Sequence, residues 1–258
     1  MLGVAWINTD PVIASARLRS LIPRKRLMKQ GLVKPGLDVV IGAKSGWDID
    51  YVLSSGCRLI FDVCDDHFSD HQRPHYMEAC EKAHLLTCNS ESMRELILEK
   101  TGRDALVIDD PYEDDETEPT LGNGVLWFGH KSNLKDLEAV AGRIQYPLTV
   151  VSNHNWKDFP KEMRACRVVV IPTGKSMAKS ANRAVRAIRL GKYPVCGELP
   201  AYAEIKGLYT GDVVEGLDYY MSIDPREQVK ALQDEIRERF DPQLIAKRWY
   251  RAICEATQ

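Results

Sequence analysis

Between Val168 and Cys196 two short β-branched runs enclose one helical pattern, and that order leaves few folds open. Val168 to Ile171 is apolar at every position and is stopped by Pro172. A strand with no polar face is buried on both sides, which is the habit of parallel sheets. Ala184, Val185, Ala187, Ile188 and Leu190 then recur at helical spacing, and Gly191 follows where a helix C-cap belongs. Tyr193 to Cys196 is the next strand. Strand, helix, strand is one βαβ unit, and parallel strands need such a crossover.

The loop between strand and helix lies at the carboxyl end of the first and the amino end of the second. Free N–H groups and the positive end of the helix dipole favour an anion there. Lys175, Lys179, Ser180, Asn182 and Arg183 crowd this loop, and the N–H groups of Ser180 and Ala181 are the backbone candidates. The bland alternative is a solvated basic helix start. Gly174-Lys175-Ser176 lacks the upstream glycine of a Walker A loop, which argues against a P-loop NTPase.

The rest of the chain repeats the alternation. Strands are predicted at Gly3–Asn8, Leu37–Ile41, Arg58–Val63, His84–Cys88, Ala105–Ile108, Val125–Phe128 and Leu148–Val151. Helices are predicted at Ser15–Gln30, split at Pro23, then at Trp47–Leu53, Tyr76–Ala83, about Asn89–Lys100, Asn133–Ile144, Lys161–Ala165, Gln228–Phe240 and Pro242–Ala256. The acidic stretch from Glu113 to Asn123 interrupts the rhythm and reads as a linker. The fold class is therefore α/β, with an N-terminal Rossmann-like domain over 1–117 and a second over 118–240. Two such sheets facing a cleft bind ligands beyond the carboxyl ends of their strands. The residues at those ends are Ser15, Arg17 and Arg19; Asp65, Asp66 and His67; Asn89 and Ser90; Asp109 and Asp110; His130 and Lys131; Ser152 and Asn153; then Thr173 to Arg183 and Glu198 to Glu204.

Charge and cysteine usage narrow the classes. The net charge of −2 gives no whole-protein steering toward nucleic acid. Basic residues do cluster on the Arg17 helix, at Arg19, Arg24, Lys25, Arg26 and Lys29; this is a solvated face or a contact for an anionic membrane or nucleic-acid backbone. Seven cysteines without repeated spacing suggest buried thiols in a reducing compartment. No stretch approaches the ~20 apolar residues of a membrane span, and no signal-peptide pattern opens the chain. The expected location is cytoplasmic, with the basic helix allowing a peripheral seat on a membrane. His67, His71 and His75 are spaced by four, but Pro74 breaks a shared helix face, and Asp48-Ile49-Asp50 reads as a surface turn; no metal site is expected.

Four stretches together resemble glycosyltransferases of the GT-B fold, closest to the family 4 type. They are Ser15-Ala16-Arg17-Leu18-Arg19, Asp62 to Phe68, Trp127-Phe128-Gly129-His130-Lys131 and Ala178 to Glu204. The resemblance implies transfer of a sugar from a nucleotide-diphosphate sugar, most simply a UDP-sugar, with retention and without metal or cofactor. It implies donor contacts at His130, Lys131, Ser152, Asn153, Thr173, Lys175, Lys179, Ser180, Ala181, Asn182 and Arg183. Acceptor or phosphate contacts fall at Ser15, Arg17 and Arg19. Asp65, Asp66 or His67 would orient or deprotonate the acceptor hydroxyl. The implied partners are the donor and an acceptor that is a glycan, a lipid-linked saccharide or a hydroxymethylated DNA base, and a last helix, 241–258, would pack back on the N-terminal domain. The chain departs from the family at its two donor-site glutamates, whose places hold Ala178 and Arg186. That departure keeps two alternatives in view, a sugar-nucleotide epimerase and a non-catalytic nucleotide-sugar binding protein.

Overall fold

The structure, a computed structural model, describes all residues except 153–157 and 174–178. Its chain divides into two compact α/β units. Unit 1 takes the described residues of Met1–Pro111, Ala178–Ser180 and Arg239–Gln258, and unit 2 those of Tyr112–Met177 and Ala181–Glu238.

Unit 1 is built on a six-stranded parallel sheet in the order β2-β1-β3-β4-β5-β6. The strands are β1 Leu2–Trp6, β2 Val33–Pro35, β3 Val39–Ala43, β4 Arg58–Val63, β5 Leu85–Cys88 and β6 Leu106–Val107. Side chains alternate between the two faces, as strand geometry requires. Val40, Leu59, Phe61 and Val63 pack with Tyr76, Met93 and Ile97 of helices α4 (Arg73–Lys82) and α5 (Glu91–Thr101) on one face. Val39, Ile41 and Ile60 pack on the other with Leu27 of α2 (Ile22–Lys29) and with Ile245, Trp249 and Ile253 of α12 (Pro242–Ala256).

Two sequence expectations change here. Pro23 does not split its helix. Ala14–Ala16 (α1), a π-helical Arg17–Leu21 and α2 run on without a break. The wide π turn just ahead of Pro23 accommodates a ring that an α-turn would press against the carbonyl four residues back. The strand expected at Leu37–Ile41 is β3 at Val39–Ala43, and the chain reaches it by crossing β1. Gly3 and Gly36 meet at that crossing: a Cβ on Gly36 would lie 2.6 Å from the Gly3 Cα. Asp38 is spent fastening the crossing, accepting from the Gly3 N–H at 2.7 Å.

Unit 2 carries a four-stranded parallel sheet, β10-β9-β7-β8. Its strands are β7 Val125–Gly129, β8 Leu148–Ser152, β9 Val168–Ile171 and β10 Tyr193–Cys196. Helix α8 (Asn182–Arg189) links β9 to β10 in the βαβ unit read from the sequence. Two helices had no expectation behind them, α9 Pro200–Ala203 and α10 Val213–Ser222. Asp212 caps α10 by accepting from Val214 and Glu215 N–H groups, so the start signal was present. The acidic stretch after residue 112 is no loose tether. Asp114 accepts from Arg186 Nη2 at 3.1 Å, Glu116 pairs with Arg189 and, at 3.1 Å, with Arg237, and Glu118 lies 3.3 Å from Lys230. Lys192, only 1% exposed, ties the same segment down by donating to Thr120 O at 3.1 Å and Cys166 O at 2.7 Å. Asp48 and Asp50 likewise serve structure: Asp48 caps helix α3 (Ile49–Ser54) through the Tyr51 N–H at 2.9 Å.

Candidate functional site

In unit 2 the carboxyl ends of β7, β9 and β10 and the start of α8 come together around Arg183. Helix α8 begins on Ala181, which offers no side-chain cap, and has no acid in its first turn. Alanine is a poor N-cap because it has no oxygen for the first-turn N–H groups. With Ala181 as the N-cap, the first-turn N–H groups belong to residues 182–184, beginning two residues after Ser180, where the sequence reading placed them.

Arg183 is half-buried in that first turn. Its guanidinium donates to the Tyr202 hydroxyl, whose pKa burial pushes up to about 12 against the pull of Arg183. The buried Nη1 has no hydrogen-bond partner among the described residues. It lies against Gly129 at the end of β7, where a Cβ would sit 3.5 Å from it. A buried guanidinium N–H left unmade is costly, so this atom calls for an acceptor that the described residues do not supply. Gly197 closes the other side: a Cβ there would meet Thr173 Oγ1 at 2.6 Å, so the ends of β9 and β10 touch only because the residue is glycine. Thr173 Oγ1 donates to Glu198 O at 3.4 Å.

The other donor candidates fall as follows. His130 caps a short 3-10 turn, Lys131–Asn133, accepting from the Ser132 N–H at 3.2 Å, and Lys131 is exposed on it. Ser152 ends β8 and is half-buried. Asn153 and Lys175 lie outside the described residues, as does Ala178. Lys179 and Ser180 group with unit 1, where the Ser180 hydroxyl bonds the Asp110 carboxylate. Asn182 is the first residue of α8.

In unit 1 the strand ends carry a second constellation. Lys44, just past β3, holds a left-handed φ of +59°, and its Nζ pairs with Asp65 at 3.2 Å. Asn8, past β1, is also left-handed at +67° and donates to Ala43 O. Asp66 is used locally, accepting from the Phe68 N–H at 3.1 Å. His67 stands apart from these two aspartates. Its Nδ1 meets Asp70 Oδ2 at 2.6 Å, Gln72 Nε2 reaches the same ring edge at 2.9 Å, and the ring packs edge-on to Tyr76. Hydrogen bonding to His67 holds the Asp70 carboxyl below its usual range. An imidazole held through Nδ1 by a carboxylate can take a proton at Nε2, which here has the Gln72 Nε2 amide 3.4 Å away.

The basic residues before β2 separate. Arg17 Nη1 donates to Pro11 O at 3.0 Å and Val12 O at 3.1 Å, holding the loop that follows β1. Ser15 is half-buried at the helix start. Arg19 is not at a surface: it is 2% exposed and grips Asp62 through Nε at 2.9 Å and Nη2 at 2.5 Å. Trp249 stacks on it at 5.1 Å. Burial alone would lower the Arg19 pKa, but Asp62 and Asp110 more than offset it and raise it. Lys44, Asp70 and Gln72 were missed in sequence, whereas Tyr202 lay within the Glu198 to Glu204 stretch. Lys44 was lost because β3 was placed two residues early; Asp70 and Gln72 lie three and five residues past His67, and only the loop's return brings them to its ring.

Comparison with protein-family models finds no match, and neither does comparison with curated protein sequences. Solved structures do match. TarM of S. aureus, in complex with UDP among other molecules, superposes with a TM-score of 0.63 at 12% identity, over 90% of this chain and 58% of that one. Sucrose-phosphate synthase from Thermosynechococcus elongatus gives 0.61 at 11% identity, over 93% and 78%. The T4 phage β-glucosyltransferase gives 0.53 at 10% identity, over 100% and 99%. The fold is that of the GT-B glycosyltransferases. This chain spans little more than half of the TarM chain. At identities this low the GT-B likeness speaks for the fold alone, and the chemistry rests on the residues described above.

Proposed function

We propose that this protein is a glycosyltransferase that takes its sugar from a nucleoside-diphosphate sugar. The observation that carries the reading is the buried Nη1 of Arg183, without a hydrogen-bond partner among the described residues, beside the first turn of α8, whose N-cap Ala181 supplies no side-chain cap. Expulsion of a diphosphate builds negative charge on the leaving group. Fixed N–H dipoles and a guanidinium aimed at that charge lower the barrier without an ion of their own. Arg183 and the α8 first turn hold the diphosphate, with Lys131 as a further cation and Thr173 and Asn182 as hydroxyl and amide partners. No metal or cofactor is assigned. UDP is the proposed nucleotide, in line with the UDP bound to TarM and the UDP-2-fluoro glucose bound to the E. coli trehalose-6-phosphate protein.

Unit 1 is assigned the acceptor. His67, backed by Asp70, orients the acceptor hydroxyl and receives its proton. Asp65 and Asp66 support the loop, and Arg19 holds the strand ends through Asp62. The acceptor is a glycan, a lipid-linked saccharide or a hydroxymethylated DNA base. Retention of configuration accompanies the family 4 resemblance; a direct displacement driven by His67 would invert instead, and the anomer of the product decides between them.

A non-catalytic reading has one observation in its favour. Arg186, where the family has its ribose glutamate, is committed to Asp114 and stacks on Phe159 at 4.6 Å. A thermal-shift series with UDP, GDP, ADP and their sugars tests both. A rise in melting temperature with a nucleoside diphosphate supports the donor site. Absence of a shift with every one of them overturns it. Binding with neither transfer nor donor hydrolysis over a panel of acceptors leaves the non-catalytic reading standing.

A further inference from the structure

From Pro11 to Leu37 the chain carries Arg17, Arg19, Arg24, Lys25, Arg26, Lys29 and Lys34 and not one acidic residue. In a chain of net charge −2 that is a strong local imbalance. The fold decides where it goes. Arg19 is taken inside, and α2 packs beside α12 on one face of the unit 1 sheet. Both helices therefore turn their solvent stripes to the same side.

On α2 that stripe is Lys25, Met28 and Lys29. On α12 it is Leu244, Lys247 and Arg251, at successive helical turns, followed by Glu255. None of the four cations on the two stripes has a hydrogen-bond or ion-pair partner among the described residues. Arg248, by contrast, is drawn to Asp109 at 2.8 Å. Between the cations two large apolar side chains stand in water, Met28 at 38% and Leu244 at 39% exposed, and Leu37 beyond β2 is 61% exposed.

We infer that this face of unit 1 docks on an anionic lipid surface. Lysine and arginine answer a negative headgroup layer, and the mixed apolar side chains point to lipid over nucleic acid. Met28 and Leu244 gain nothing against phosphodiester backbones but are buried when a surface helix settles at the headgroup boundary. No helix of the described residues is long and apolar enough to cross a membrane, so the contact is a seat and not a span. The inference is independent of the donor site: it uses none of the residues assigned to sugar transfer.

Co-sedimentation of the full chain with phosphatidylcholine vesicles, with and without phosphatidylglycerol, tests it. The protein is expected on the anionic vesicles only, with retention falling as salt is raised. Each neutralised lysine is expected to weaken partitioning roughly five-fold, so Lys25→Gln, Lys29→Gln and Lys247→Gln together weaken it roughly a hundred-fold. Met28→Ser with Leu244→Ser, at unchanged charge, is also expected to weaken it. These positions are exposed, and circular dichroism checks that each variant is folded. Failure of the parent protein to sediment with anionic vesicles overturns the inference. So does sedimentation that the three lysine changes leave alone. Salt-sensitive retention on duplex DNA, lost in the lysine variant and untouched by the serine pair, would assign the face to nucleic acid instead.

Discussion

Replacing Asp110 with asparagine is expected to change the pH dependence of stability in unit 1. Asp110 is 5% exposed, and its nearest cation is already engaged. Arg19 gives its short contacts to Asp62 and reaches Asp110 only at 3.4 Å. Burial therefore wins: it raises the Asp110 pKa from 3.8 to about 6, over the opposing effects of Arg19 and the Ser180 hydrogen bond, and Asp62 and Asp109 push the same way as burial. A carboxyl whose folded pKa is raised binds its proton more tightly when folded. Its favourable contribution is complete below about pH 4 and is lost as the pH rises through about 6. The rise corresponds to about 3 kcal/mol at ~1.36 kcal/mol per pH unit. The wild type is expected to lose that amount between acidic and neutral pH, and Asp110→Asn is not. Urea unfolding of both proteins, followed by tryptophan fluorescence across that range, measures the difference. A difference in stability that stays level within about 0.5 kcal/mol across the same range would refute the reasoning.

Three further perturbations probe the proposed chemistry and the fold. Arg183→Ala removes a charge-assisted contact of about 1.5–3 kcal/mol, so titration calorimetry should show UDP binding weakened roughly ten- to a hundred-fold; an unchanged Kd would take Arg183 out of the donor site. His67→Gln is expected to lower kcat on the acceptor roughly a hundred-fold while leaving UDP affinity as it was, with Asp70→Asn falling between it and the parent. Equal kcat in all three would return His67 to the status of a loop residue. Gly36→Ala would set a Cβ 2.6 Å from the Gly3 Cα and open the crossing of β1, for an expected loss of about 1–3 kcal/mol in urea unfolding; a neutral change would mean that the crossing yields easily.

Much of the scaffold was legible because the responsible forces are local. Arg58–Val63, Val168–Ile171, Tyr193–Cys196 and Pro242–Ala256 fall where apolar runs and helical periodicity place them. Ser90 caps α5 through the Met93 N–H, and Gly102 ends it in the left-handed region, as their residue types direct. The crossing at Gly3 and Gly36 and the uninterrupted helix through Pro23 were not legible. The first depends on two glycines thirty-odd residues apart meeting face to face, and the second on a π turn that no propensity announces.

The chain's own order of residues was enough to decide that it forms parallel α/β units and to single out the start of the helix near Arg183 for the proposed anion, because strand burial, helix periodicity and end charges act over a few residues. Only the tertiary structure decided which charged groups remain to meet a ligand. It spends Arg19 on Asp62 and Asp66 on its own loop, and among the described residues it leaves Arg183 Nη1 without an acceptor. The reason is that the availability of a charge depends on which distant residues fold against it, and that is a property of packing, not of neighbours in sequence.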